Sequence, residues 1–221
     1  KARAVWGYPA TVTFGEAVFA VPLIRAYQKL PNITTPIAYG FETSTGGAMR
    51  VKRRFGKSYP STYTGIDFKK FDKTIPSWLI KIAFDILALN IDFTFYEGYG
   101  VADASAMYRM YYTIRDYFIN TTIRMADGRR FKKTSGVASG SYFTQLIDSV
   151  CNYLVLVYTC LRMKVGVPID LLVFGDDSIM VTGKPFDLSL ANEIVNEVFG
   201  MKINTEKSMT CAYLDELKFL G

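Results

Sequence analysis

The tetrapeptide Phe174-Gly175-Asp176-Asp177 lies between the apolar runs Leu171-Leu172-Val173 and Ile179-Met180-Val181, and it constrains the fold more than any other stretch. Two strand-like runs joined through a glycine read as a hairpin, with adjacent carboxylates at its tip. Like charges about 4 Å apart repel by roughly 1 kcal/mol in water and about 4 kcal/mol at an effective dielectric of 20. A hard divalent cation such as Mg²⁺ or Mn²⁺ removes that repulsion, because carboxylate oxygens are its preferred ligands. An ordinary turn is the other reading, since Gly and Asp both favour turns.

Composition narrows the chemistry further. The 221 residues are 50% hydrophobic and 15% aromatic, enough for one large domain with a substantial core. Lys and Arg outnumber Asp and Glu by 26 to 20, a surplus that fits nucleic-acid binding or simply a lysine-rich surface. The chain has no histidine, which excludes Ser-His-Asp triads, histidine general bases and histidine-ligated zinc. Cys151, Cys160 and Cys211 lack metal-ligand spacing, and an odd count without a signal peptide suits a reducing compartment. The apolar stretch 150–163 contains Asn152 and Arg162 and reads as too short and too polar to span a bilayer. A start at Lys1 and a stop after the strand-like Leu217-Lys218-Phe219-Leu220 read as a segment of a longer protein.

Along the chain, residues 15–29 read as a helix, and 30–65, rich in Pro, Gly, Ser and Thr, as loops with short strands. Ile66-Asp67-Phe68 reads as a strand end. Thr74 is placed to cap a helix with Pro76 in its first turn and a stripe of Trp78, Leu79, Ile82, Ile86 and Leu89. A second helix is expected over 104–122. Thr122-Ile123-Arg124-Met125-Ala126 and Arg129-Arg130-Phe131-Lys132 then flank Asp127-Gly128, a strong hairpin signal. Further helices are expected over 141–163 and 187–199, the latter ending at Gly200 before an extended Met201-Lys202-Ile203. This order suggests an α+β fold, an antiparallel sheet with helices packed on one face.

The hairpin carboxylates gain meaning from what surrounds them. Asp67 ends an apolar strand and Asp72 follows five residues later; Ser139-Gly140 and Thr144 open the long helix; Lys1 and Arg3 lie upstream and Lys207 downstream. In this order and spacing the chain resembles the palm of viral RNA-dependent RNA polymerases, partitivirus-like ones above all. Lys1 to Pro9 resembles motif F of that family, the stretch from Asp67 through Asp72 to Ile80 motif A, and Gly136 to Thr144 with Asp148, Ser149 and Asn152 motif B. Gly175-Asp176-Asp177 resembles motif C, Asn204 to Ser208 the end of motif D, and Lys218 to Gly221 the start of motif E.

The resemblance implies a fingers-derived segment over 1–64 and a palm over 65–221. It implies RNA-directed RNA synthesis with two Mg²⁺ or Mn²⁺ ions, held by Asp67, Asp176 and Asp177 as catalytic ligands. In-line displacement at phosphorus depends on positioning and charge stabilisation, which such a carboxylate cluster with its metals can supply. Lys207 would protonate the departing pyrophosphate. Lys1 and Arg3 would meet the triphosphate, and Asp72, Ser139, Gly140, Thr144 and Asn152 the ribose. Where picornavirus-like polymerases carry asparagine nine residues after the motif B serine, this chain has Asp148, so the partner of Asp72 stays open. Arg50, Lys52, Arg53, Arg54 and Lys57, and likewise Arg129, Arg130, Lys132 and Lys133, form basic runs suited to RNA phosphates or to plain solvation. Template and product RNA and ribonucleoside triphosphates are the implied partners, capsid protein is allowed and no membrane is implied; the implied setting is the virion interior or host cytoplasm. A reverse-transcriptase-like polymerase and an inactive RNA-binding remnant are the rival readings. Asp72 argues against the first, because reverse transcriptases carry a bulky side chain there, and the intact acidic residues argue against the second.

Overall fold

Four antiparallel strands, Asp170–Phe174, Asp177–Thr182, Thr62–Gly65 and Met209–Cys211 in that spatial order, form the sheet on which the carboxylates are mounted. The computed structural model describes residues 7–56, 61–217 and 219. In chain order these form α1 (Ala10–Lys29), α2 (Gly47–Phe55), β1 (Thr62–Gly65), the one-turn α3 (Phe71–Thr74), α4 (Ser77–Ala88), β2 (Phe95–Tyr96) and β3 (Gly100–Val101). Then follow α5 (Ala104–Ile119), β4 (Thr122–Arg124), β5 (Arg130–Lys132), α6 (Thr144–Arg162), β6 (Asp170–Phe174), β7 (Asp177–Thr182), α7 (Leu188–Phe199) and β8 (Met209–Cys211). The α+β reading holds.

Alternation along the strands separates two cores. Leu171, Val173 and Met180 pack toward the main helical layer, with residues of α1, α4, α5, α6 and α7. Leu172, Ile179, Val181 and Tyr63 face the other way, onto Ala38, Phe41 and Phe55. The second face is therefore covered by α2 and irregular chain, and α2 falls where loops and short strands are expected. The Thr- and Gly-rich stretch at its start masks its amphipathic pattern, and its run Arg50 to Arg54 reads equally well as a solvated loop.

The main layer is joined through aromatic rings. Phe84 lies 5.8, 5.2 and 4.9 Å, centroid to centroid, from Tyr111, Phe118 and Phe143. Tyr111, fully buried on α5, donates its hydroxyl to the Phe84 carbonyl at 2.7 Å. On α4 the buried residues are Leu79, Ile80, Ala83, Phe84 and Leu87, whereas Trp78, Ile82 and Leu89 are exposed, so the stripe is rotated from the expected one. Thr74 does not cap α4. Its hydroxyl donates back to the carbonyls of Lys70, just before α3, and Phe71, its first residue, and Pro76 stands at the α4 N-terminus.

Other boundaries follow their local chemistry. Asp187 caps α7 through the N–H groups of Ser189 and Leu190, and Gly200 ends it at φ 67°. α6 reaches the length and apolarity of a membrane span, more than its sequence suggests, but 61% of its most apolar window is buried inside the fold. The three cysteines are free thiols.

Candidate active site

The two-residue loop Gly175-Asp176 closes β6 onto β7, with Phe174 paired to Asp177 across it. Such a loop needs positive φ at its first position, which Gly175 supplies at 64°. A Cβ there would also come within 3.1 Å of the Gln145 amide. α6 grips the turn from behind. Ser149 Oγ accepts the Gly175 N–H at 2.9 Å, and Asn152 Nδ2 donates to the carbonyls of Gly175 at 2.9 Å and Asp177 at 3.3 Å. The tip is thereby fixed, and Asp176 and Asp177 stand exposed on it.

β1 delivers Asp67 to the same place. Gly65 is opposite Ile179, and Ser178 Oγ donates to the Ile66 carbonyl at 3.5 Å. Continuing that register brings Asp67 abreast of Asp177. The chain after α7 clasps Asp67: its N–H donates to Ser208 Oγ at 3.0 Å, and its carbonyl and Oδ2 accept from the backbone and side-chain nitrogens of Asn204, each at 2.7 Å. Burial, then Asp176, then Asp67 push the Asp177 carboxyl above the usual carboxylate range. These three carboxylates share one electrostatic field.

Asp72, on α3, approaches from the motif B side. Its carbonyl accepts the Val137 N–H at 2.6 Å, and Gly136, at φ 75°, packs so closely that a Cβ would lie 2.6 Å from that oxygen. Only glycine fits there. Deeper in, Asp148 is buried on α6 with no hydrogen-bond partner for Oδ1. Burial, reinforced by Asp176 and Asp72 and opposed by Lys133, raises its carboxyl well above the ordinary range. Asp72 and Asp148 are thus electrostatic neighbours, and Asp148 carries its proton more readily than a free aspartate. Lys133 is itself buried, donates to the Gly136 carbonyl and sits 5.1 Å over the Phe118 ring. It leaves the basic run expected to follow RNA.

Among the described residues no lysine or arginine forms an ion pair with Asp67, Asp72, Asp148, Asp176 or Asp177. Hard oxygens with uncompensated charge suit divalent cations in chemistry. As they stand, no three of the described His, Cys, Asp or Glu residues form a group close enough to hold one. A profile of the viral RNA-dependent RNA polymerase family matches residues 1–221. The chain belongs to that family.

Two curated relatives in this polymerase family are RNA-directed RNA polymerases. That of Cryptosporidium parvum virus 1 (strain KSU-1) is 31% identical over 186 residues, covering 81% of this chain and 32% of the relative. That of White clover cryptic virus 1 is 27% identical over 196 residues, covering 81% of this chain and 31% of the relative. The chain thus spans about a third of their length. In fold it is similar to the RNA-dependent RNA polymerase of a human picorbirnavirus. An insertion-loop deletion mutant of that enzyme superposes at TM-score 0.76 with 18% identity, over 100% of this chain and 40% of that one. The intact enzyme gives 0.73 and 17%, over 96% and 37%.

For a chain of this family, the candidate residues divide into those the fold gathers and those it uses elsewhere. Asp67 and Asp176 adjoin Asp177, and Asp72 and Asp176 adjoin Asp148; Ser139 and Gly140 are exposed at the loop before α6, and Lys207 is exposed beyond α7. Asn152, expected at the ribose, is fully buried and spends its amide nitrogen on the hairpin turn. Thr144 turns its hydroxyl to the Ala138 carbonyl at 2.7 Å. Arg54, expected at RNA, grips Asp170 with both ends of its guanidinium and donates to the Thr35 carbonyl at 2.6 Å, with only 5% of its side chain exposed. Arg53 is exposed, as are Arg129 and Arg130. Lys1, Arg3 and Lys57 lie outside the described residues. Ser149, Asn204 and Ser208 support the carboxylates, although sequence alone does not single them out as site residues; their places within motifs B and D are the signal that could have found them.

Proposed function

We propose that this chain is the catalytic palm, with part of the fingers, of an enzyme that copies RNA by adding ribonucleotides to a 3′-hydroxyl. The observation that carries this is the β1–β7 register, which brings Asp67 abreast of the hairpin carboxylates while no cationic side chain compensates them among the described residues. Asp67, Asp176 and Asp177 would hold two Mg²⁺ or Mn²⁺ ions, and divalent ions there would supply charge stabilisation at the transferring phosphoryl group. Asn204 and Ser208 fix the backbone and side chain of Asp67, and Ser149 and Asn152 fix the turn carrying Asp176. Asp72 is the acceptor for the ribose 2′-hydroxyl of the incoming nucleotide, and Ser139 and Gly140 serve the same ribose. Lys207 is the proton donor to pyrophosphate, and Lys1 and Arg3 bind the triphosphate. The viral sources of the relatives fit a role in viral genome replication and transcription.

Primer extension on an RNA template by the polymerase that carries this chain tests the assignment. Asp176→Asn keeps the turn's shape and removes one charge, and should cost on the order of 10²-fold or more in nucleotide addition. Near-normal synthesis by that variant refutes the assignment.

A further inference from the structure

A carboxylate distant in sequence is built onto the chain that opens α6. Glu16, Phe19, Ala20 and Leu23 share the buried face of α1, and Glu16 is 0% exposed among otherwise apolar neighbours. Its two oxygens have separate donors: Ser141 Oγ reaches Oε1 at 2.8 Å and the Tyr142 N–H reaches Oε2 at 3.0 Å. Ser141 Oγ in turn accepts the Phe143 N–H at 3.0 Å. No lysine or arginine pairs with Glu16 among the described residues. Burial lifts its carboxyl above the usual range, and these two hydrogen bonds oppose that lift. Burying an acid in a helix face costs free energy that an apolar side chain would not, so packing alone does not account for it.

What Glu16 holds is the foot of the Ser139-Gly140 loop. The Ala138 carbonyl accepts from the Ser141 N–H at 3.4 Å and from Thr144 Oγ1 at 2.7 Å, closing a short loop with Ser139 and Gly140 at its exposed tip. Glu16 grips this loop on its C-terminal side, 125 residues away in sequence. We infer that Glu16 is a positioning residue of the nucleotide site, fixing the Ser139-Gly140 loop through Ser141 and Tyr142 and tying that loop to α1. The inference rests on the polymerase reading above. It assigns Glu16 no contact with substrate.

Glutamine keeps the volume but offers one acceptor and one donor group at the carboxylate position. Ser141 and Tyr142 both present donors, and the Ser141 oxygen already accepts from Phe143. Glu16→Gln must therefore turn its NH₂ toward Ser141, whose hydroxyl can accept it only on its remaining lone pair, so both charge-assisted bonds are lost and the grip weakens. In the polymerase that carries this chain, single-nucleotide addition on a primed RNA template should fall about tenfold in Glu16→Gln, the scale of one charge-assisted hydrogen bond. The preference for ribonucleotides over deoxynucleotides should narrow severalfold, with template affinity unchanged. Ser141→Ala should do the same, and the double variant should be no worse than the poorer single, because both remove one coupled interaction. Hydrogen exchange at the Tyr142 amide should be faster in Glu16→Gln, whatever the activity. Variants with a lower melting temperature but an unchanged sugar preference overturn the inference and leave the polymerase reading standing. A folded parent enzyme that binds RNA and adds no nucleotide overturns both.

Discussion

At the scale of single residues, the buried pair Lys133 and Asp148 lies directly beneath the carboxylate site. Lys133 is 8% exposed, and burial lowers its ammonium from an ordinary 10.5 to about 8, against the pull of Asp148 in the other direction. Between those values the unfolded chain still holds a proton that the folded chain has released. The unfolded state therefore binds more protons, and this group makes stability rise with pH across that window. Below about pH 8 its cost is constant, and by pH 9.5 roughly 2 kcal/mol of it should be relieved. Lys133→Met removes the titration. In denaturant unfolding, the stability difference between parent and variant should change by that amount from pH 7 to 9.5. Parallel curves would show that Lys133 keeps an ordinary ammonium.

At the scale of elements, Arg54 shows how a basic residue serves the fold. Its Nε and Nη2 meet Asp170 at 2.9 and 2.7 Å, and Nη1 reaches Thr35 and Asn32, so one guanidinium fastens α2 to β6 and to the chain before it. Arg54→Met leaves a half-buried carboxylate and several carbonyls unpaired, and should cost about 3 kcal/mol in denaturant unfolding. RNA affinity should be unchanged. Arg54→Lys should rescue little of the stability, because a point charge cannot reproduce the fork. The same contrast explains what sequence could and could not disclose. The β6–β7 and β4–β5 hairpins were legible because Gly175 and Gly128 mark turns that need positive φ, 64° and 86° here. The α7 ends were legible from Asp187 and Gly200. α4 misled, since nearly every residue in it is apolar and its stripe is chosen by what packs on it: Phe84 faces Tyr111 and Phe143, whereas Trp78 stacks on Phe199 at the rim. Asp67, Asp72, Asp176 and Asp177 were singled out by motif order alone. The inward turn of Asn152 and Arg54 did not, because burial of a polar side chain depends on partners distant in sequence.

At the scale of the whole molecule, charge of opposite sign is sorted into neighbouring regions. The chain carries a formal charge of +6, yet five aspartates gather around the β6–β7 tip. The β4–β5 ribbon collects cations and runs straight into the chain that forms motif B. In its register Arg124 is opposite Arg130 and Thr122 opposite Lys132, so Arg124, Arg130 and Lys132 share one face, with Ile123 and Phe131 on the other. Like charges directly opposite destabilise a two-stranded ribbon unless an anion lies over them. An RNA backbone beside the site would supply such anions. Arg129 differs, because its Nε is 2.5 Å from Asp127 and its guanidinium lies over Phe131. For single-stranded RNA, the slope of log affinity against log salt should become shallower by about 0.7 for each phosphate that the protein ceases to neutralise. Arg124→Ala and Arg130→Ala should each show that reduction in fluorescence anisotropy titrations of the polymerase that carries this chain. Arg129→Ala, already neutralised within the hairpin, should leave the slope close to the parent's. If all three variants keep the parent's slope, the cationic face meets only solvent and the RNA path lies elsewhere on the molecule.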